Sequence, residues 1–243
     1  MPTKHPRHIV TEVGPVADAF ARARRIKPDV HVRDLVLLGA EAMVEREMQA
    51  EVDEKRRAAA IERLISLTTE GEGIDSEAAE YVHEVLGVPE LSGVTPSFGA
   101  PRERVLVDNS VWSRVRRPDV GAVWRRELSK RTLIACPPFM IEAGYSARTP
   151  DELHRIRVDI SESMDSVCCD ERTWELALEA QQAMADAAGL MHRRRPLDFL
   201  IAATAHQHGL GVLHYDRDYD LIAEHGRLDF ASVWVVPPGS LER

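Results

Sequence analysis

Apolar residues recur in two rhythms along this 243-residue chain, and the rhythm changes near residue 100. Before that point they come at helical spacing. "RHIVTEVG" first reads as a short strand, ended by Gly14-Pro15, where the fixed φ of proline suits the first turn of a helix running to about Arg25. "KPD" breaks that helix. A second one begins near Asp29, a suitable N-cap, and carries Val32, Leu35, Val36, Gly39, Ala40 and Met43 on one face. "EREMQAEVDEKRRAAAIER" (45–63) and "SEAAEYVHEVLG" (76–87) add helices rich in charge and alanine, with only a thin apolar stripe.

The stretch "PELSGVTPSFGAPRER" mixes Pro, Gly and Ser without periodicity and reads as a linker, placed at residues 89–103. Beyond it, the short apolar runs "RVLV", "TLIA", "GVLH" and "SVWVV" alternate with amphipathic helical segments such as "RTWELALEAQQAMADAAG" and "LDFLIAATAHQHG". That alternation predicts an α/β domain over 104–243, a mostly parallel sheet flanked by helices. The N-terminal part divides into a mainly helical head (1–48) and an acidic arm (49–88).

Charge sharpens this division. The net charge is -9, yet through Arg33 seven Lys/Arg face three acids, whereas from Asp34 to Ala100 five basic residues face fifteen acidic ones. A basic head and an acidic middle point to two kinds of partner, one polyanionic and one cationic. One short strand with two helices cannot bury a core alone, so the head is expected to pair with a copy of itself, giving an assembly with an even number of chains. No window approaches the roughly 20 apolar residues of a membrane helix, and the start lacks an apolar export segment, so no membrane partner and a cytoplasmic location are expected. Cys136 stands alone and Cys168-Cys169 are adjacent, a pattern unsuited to a zinc knuckle.

The chemistry lies in the acids. In parallel sheets ligands bind beyond the carboxyl ends of the strands. Asp108 follows "RVLV" and Asp216 follows "GVLHY"; Glu142 follows "TLIACPPFM"; Asp198 stands in the first turn of the helix after Pro196, where an anion is favoured. Each alone has a plain structural reading: Asp198 as a cap, Asp216 as a turn residue of "HYDRDYD", Glu142 as a surface acid. Four carboxylates meeting at one rim would repel one another, and an all-oxygen set suits Mg²⁺ or Mn²⁺ better than Zn²⁺.

"VLVDNSVW", "PPFMIEAGYSA" and "RRRPLDFLIAATAHQHGLGVLHYDRDYDLIA" together resemble the PIN-domain ribonucleases, specifically the VapC toxins of bacterial toxin-antitoxin modules, from about Arg104 onward. The resemblance implies that Asp108, Glu142, Asp198 and Asp216 are the catalytic, metal-binding acids, with Asp218 a second candidate in the last cluster and Ser110 supporting the first. It also implies RNA as substrate, with water activated by the metal against a phosphodiester. Arg114, Arg116 and Arg117, then Arg193, Arg194 and Arg195, are candidate contacts to the RNA backbone. The head resembles the ribbon-helix-helix fold of many antitoxins, in which Arg7, Ile9 and Thr11 would meet operator DNA. The acidic arm then takes the place of a VapB-type antitoxin segment masking the toxin, here fused in cis, with Arg56, Arg57, Arg63, Arg102 and Arg104 as candidates to block the site.

Other chemistries fit less well. A phosphotransferase with a strand-terminal Asp nucleophile wants a second Asp at position 110, which is Ser; His206 and His208 are two apart on a helix; no glycine-rich phosphate loop is present. The competing reading from another class is a DNA-binding regulator with a catalytically silent PIN-like module.

Overall fold

The computed structural model describes residues 10–66, 103–187 and 192–241. They fall into two units, divided between Lys55 and Arg56.

In the first unit, α1 (Pro15–Ile26) starts at the expected proline, behind Gly14 at φ 53. The predicted strand is absent over Val10–Val13, and its residues 7–9, including Arg7 and Ile9, lie outside the described residues. The reason is local: Val13 N–H donates to Thr11 O at 3.0 Å, closing a turn where a ladder would need a neighbour. The second helix, α2 (Val32–Ser66), begins three residues after the expected cap, with His31 O accepting from Leu35 N–H at 3.2 Å. It then runs without a break through the segment read as a separate helix at 45–63. No Gly or Pro follows Gly39 in it, and alanines with long charged side chains propagate helix readily. Among the described residues of this unit Phe20 is the buried one, while Val36, Leu37, Met43, Val44 and Met48 are exposed. The predicted helix at 76–87 and nearly all of the linker lie outside the described residues.

The second unit is built on five parallel strands, β1 (Val105–Val107), β2 (Leu133–Ala135), β3 (Asp165–Ser166), β4 (Gly211–His214) and β5 (Ala231–Trp234), in the order β3-β2-β1-β4-β5. Val105 pairs with Leu133 on one side and Gly211 on the other. A central parallel strand is covered on both faces, which is why β1 is apolar at every position. The sheet is wholly parallel. Its helices are α3 (Asn109–Trp112), α4 (Pro118–Ser129), α5 (Pro137–Tyr145), α6 (Pro150–Ser163), α7 (Glu171–Ala187), α8 (Pro196–His208) and α9 (Asp218–His225). Proline opens α4, α5, α6 and α8 at the position where its missing N–H costs nothing, and Gly209, at φ 64, closes α8 in the left-handed conformation.

Trp112, Trp124 and Phe139 centre the core, with Trp112 5.6 Å from Trp124 and 6.3 Å from Phe139 between ring centroids. The last turns of α2 belong to the same unit. Leu64 is fully buried in this core with Ile61 and Ile65 packed against it, and Ala60 is fully buried beside them. Around them Arg63 bonds Asp159 at 2.6 Å and Glu162 at 2.9 Å, and Arg57 and Arg104 both pair with Asp165. Exposed ion pairs of this kind contribute up to about 1 kcal/mol each, while burying a leucine contributes about 1.5–3 kcal/mol, so the apolar side chains hold this helix end in place.

Candidate active site

Strand β1 ends on Asp108, and α3 starts at the next residue. Asp108 is the N-cap of that short helix: its Oδ2 accepts from Ser110 N–H at 2.8 Å. Its Oδ1 accepts from the Tyr219 hydroxyl at 2.7 Å. Ser110 Oγ accepts from Tyr215 N–H at 2.8 Å, which ties the end of β4 to the end of β1. Ser110 thus steadies Asp108 through its backbone and the neighbouring strand through its side chain. The Asp-Asn-Ser ending of the strand is a cap and a splice at once.

The end of β4 carries the other acids. Asp216 Oδ1 accepts from Asp218 N–H at 2.9 Å, which folds residues 216–218 into a tight turn. Asp198, in the first turn of α8, is buried, as are Asp216 and Asp218. One carboxylate oxygen from each of these three lies within 4.8 Å of the others. Asp108 and Glu142 are not in that trio, but they stand close enough for their charges to act on it. Burial, then the negative charge of Asp108, pushes the Glu142 carboxyl up to about 8, against the pull of Arg195. Burial, then the charge of Asp218, pushes Asp216 up to about 7. Asp198 is raised well above the carboxylate range, first by burial and then by Asp216 and Asp108. Asp218 is raised by burial and held back by Arg194, whose Nη1 lies 3.0 Å from Asp218 Oδ1.

This donor set fits a divalent cation. Asp198 Oδ2 and Glu142 Oε2 are buried with no hydrogen-bond partner, and a buried, unpartnered carboxylate oxygen is costly unless a positive charge meets it. Oxygen ligands alone suit Mg²⁺ or Mn²⁺.

Of the arginines expected near RNA, Arg114 is anchored beside the site, donating to Ser110 O at 3.0 Å with its guanidinium 5.5 Å from the Tyr215 ring centre. Arg116 and Arg117 are half-buried, and Arg193 is exposed. Thr11 is exposed in the first unit. The candidate blocking arginines Arg57, Arg63 and Arg104 are instead paired with Asp165, Asp159 and Glu162, none of which belongs to the acid cluster; Arg102 lies outside the described residues. Sequence reasoning missed Tyr219 and His214. Tyr219 and His214 sit inside the quoted "LHYDRDYD" motif, but a neutral side chain there reads as core until its partner is seen.

The sequence profile of the PIN domain matches residues 105–225. Ribonuclease VapC18 of Mycobacterium tuberculosis is 32% identical over 136 residues, covering 56% of this chain and 97% of that protein. Ribonuclease VapC51 of the same organism is 34% identical over 149 residues, covering 57% of this chain and 98% of that protein. A structure of FitAB bound to an IR36 DNA fragment aligns with a TM-score of 0.43 at 18% identity, over 54% of this chain and 94% of that one. With its parallel sheet and its acids at the strand ends, the chain belongs, from Val105 onward, to the PIN-domain family of the VapC ribonucleases.

Proposed function

We propose that the chain is a toxin-antitoxin-type nuclease whose second unit cuts RNA phosphodiester bonds with Mg²⁺ or Mn²⁺, regulated in cis by its N-terminal region. The observation that carries the reading is the convergence of Asp198, Asp216 and Asp218, with Glu142 and Asp108 alongside. A divalent cation held there supplies activation of water and neutralisation of charge on the phosphodiester. The chain's own residues do the rest. Asp198, Asp216 and Asp218 hold the cation, Glu142 and Asp108 complete the negative rim, and Tyr219 keeps Asp108 oriented. Arg114, with Arg116, Arg117 and Arg193, meets the RNA backbone beside the rim, by charge and not by base reading.

The N-terminal region, in this reading, is an antitoxin-like segment on the same chain: a ribbon-helix-helix-like head over 1–48 that pairs with a second copy and meets operator DNA through Arg7, Ile9 and Thr11, then an arm over 49–88 and a linker over 89–103. Docking of Ala60 and Leu64 in the nuclease unit supports the tethered arrangement. Tethering raises the effective concentration of any masking segment to about the millimolar range. Because Arg57, Arg63 and Arg104 are already paired with other acids, Arg56 and Arg102 are left as the blocking candidates of this reading.

The test is cleavage of a structured-RNA pool by the intact chain, by a fragment starting at Arg56, and by both carrying Asp198→Asn, with Mn²⁺ or with EDTA. Cutting that needs the metal and Asp198 supports the nuclease; faster cutting after proteolysis between residues 67 and 102 supports inhibition in cis. No cutting by any folded form in Mg²⁺ or Mn²⁺ moves the reading to the DNA-binding regulator.

A further inference from the structure

We propose that His214 is a positioning residue for the acid cluster: its Nδ1 accepts the Asp216 N–H, and a buried chain through Ser232 and Asp220 fixes which ring nitrogen faces that turn. The inference rests on the metal-site reading above and concerns what sets the turn that bears two of its three closest carboxylates.

His214 is the last residue of β4 and is fully buried. Asp216 N–H lies 3.1 Å from its Nδ1, which must therefore carry the lone pair. A neutral ring with an unprotonated Nδ1 has its hydrogen on Nε2, and Nε2 lies 2.7 Å from Ser232 Oγ. Ser232 accepts there and donates its own hydrogen to Asp220 Oδ1, while the other Asp220 oxygen accepts from Trp234 Nε1 at 2.9 Å. Every hydrogen in this chain thus points from the Asp216 backbone towards Asp220. Reversing the imidazole tautomer would set two N–H groups against each other at Asp216 and leave Ser232 without a donor.

The chain links three elements to the turn. His214 belongs to β4, Ser232 and Trp234 to β5, and Asp220 to the first turn of α9, which starts at Asp218. The His214 ring also packs against Tyr219 at 4.9 Å and Trp234 at 5.1 Å between centroids. Ring packing alone would make His214 a core residue replaceable by any flat side chain. Its hydrogen bonds give it a second role, because Asp216 N–H is bound by the last side chain of β4, which anchors the start of the Asp216–Asp218 turn that carries two of the acids. Outer-shell partners of this kind govern metal affinity in many sites.

Two substitutions separate the roles. His214→Asn keeps an acceptor where Nδ1 stood; His214→Gln keeps a donor where Nε2 stood; both remove the ring. Mn²⁺ is titrated calorimetrically into the intact chain and each variant, with circular dichroism to confirm folding. We expect His214→Gln to weaken Mn²⁺ binding by about 10–100-fold and His214→Asn to stay close to the unsubstituted chain. Equal losses in both, no loss in either, or the reverse order would overturn the inference while leaving the metal site intact. No Mn²⁺ uptake by the unsubstituted chain would overturn the metal-site reading and this inference with it. If either His214 variant fails to fold, Ser232→Ala decides in the same titration: weaker binding supports the chain, and unchanged binding overturns it.

Discussion

The Tyr219 hydroxyl donates to Asp108 Oδ1 at 2.7 Å, joining the first turn of α9 to the end of β1 across 111 positions of sequence. Tyr219→Phe removes that hydrogen and leaves a buried carboxylate oxygen short of a donor. A hydrogen bond to a charged group contributes about 1.5–3 kcal/mol, and a loss of that size is expected in urea unfolding, together with slower RNA cleavage. A variant as stable as the unsubstituted chain would show that Asp108 is held by Ser110 alone.

Removing one acid should relieve the others. Asp198→Asn removes a buried acid that must either carry its charge beside Asp216, Asp108 and Glu142 or take up a proton on folding, so the metal-free protein is expected to melt higher at pH 8, while Mn²⁺ affinity falls at least about tenfold. Gain of stability with loss of binding is the signature of a site kept at the expense of the fold. A lower melting temperature without metal would mean that Asp198 serves mainly as a structural residue of α8.

The raised carboxyls give stability a definite slope with pH. A carboxyl whose folded pKa lies above its unfolded value, about 4, binds more protons in the folded state; its stabilising proton is fully present below pH 4 and lost as pH rises through the folded pKa. With Glu142 at about 8 and Asp216 at about 7, the metal-free melting temperature should decline between about pH 4 and 8. Millimolar Mn²⁺ should flatten that decline, with protons released on binding. Melting curves across this range in EDTA and in Mn²⁺ check both; a metal-free curve that rises to pH 8 would contradict the acid cluster.

At the end of α2 the energetics divide between oil and charge. Leu64→Ala should cost about 2–5 kcal/mol, as a cavity in a packed core does, whereas Arg63→Ala should cost no more than about 1 kcal/mol despite its two ion pairs. Urea unfolding of the fragment from Arg56 measures both. Equal costs would mean that the ion pairs orient this helix end.

Much of the α/β unit was legible because buried parallel strands are short apolar runs, and β1, β2, β4 and β5 all are. β3 was not: Asp165-Ser166 is polar, two residues long and exposed, and owes its strand geometry to pairing with Ile134 and Ala135. Asp108 and Asp216 were found from the rule that ligands bind beyond strand ends, Glu142 and Asp198 from their places in the first turns of helices, and Asp218 from the resemblance to the PIN-domain ribonucleases. His214 and Tyr219 escaped these signals because their roles depend on partners in other elements. Docking of Ala60, Ile61, Leu64 and Ile65 was hidden for a related reason, as these four positions fill little more than one turn at the end of a stretch of alanines and charges, too short a stripe to mark a buried face. In the head, an apparent strand over Val10–Val13 took the form of a turn, since alternation of side chains specifies a strand only where a neighbour completes the ladder.

The brevity of β3 has its own consequence. It closes one side of the sheet with two rungs, and its aspartate is clasped by Arg57 from α2 and by Arg104 from the approach to β1. A strand from another molecule arriving there would find little backbone to pair with, no apolar face, and two guanidinium groups already seated on the acid. The β3 side of this sheet is thereby guarded against fibre-like growth by its own shortness and charge.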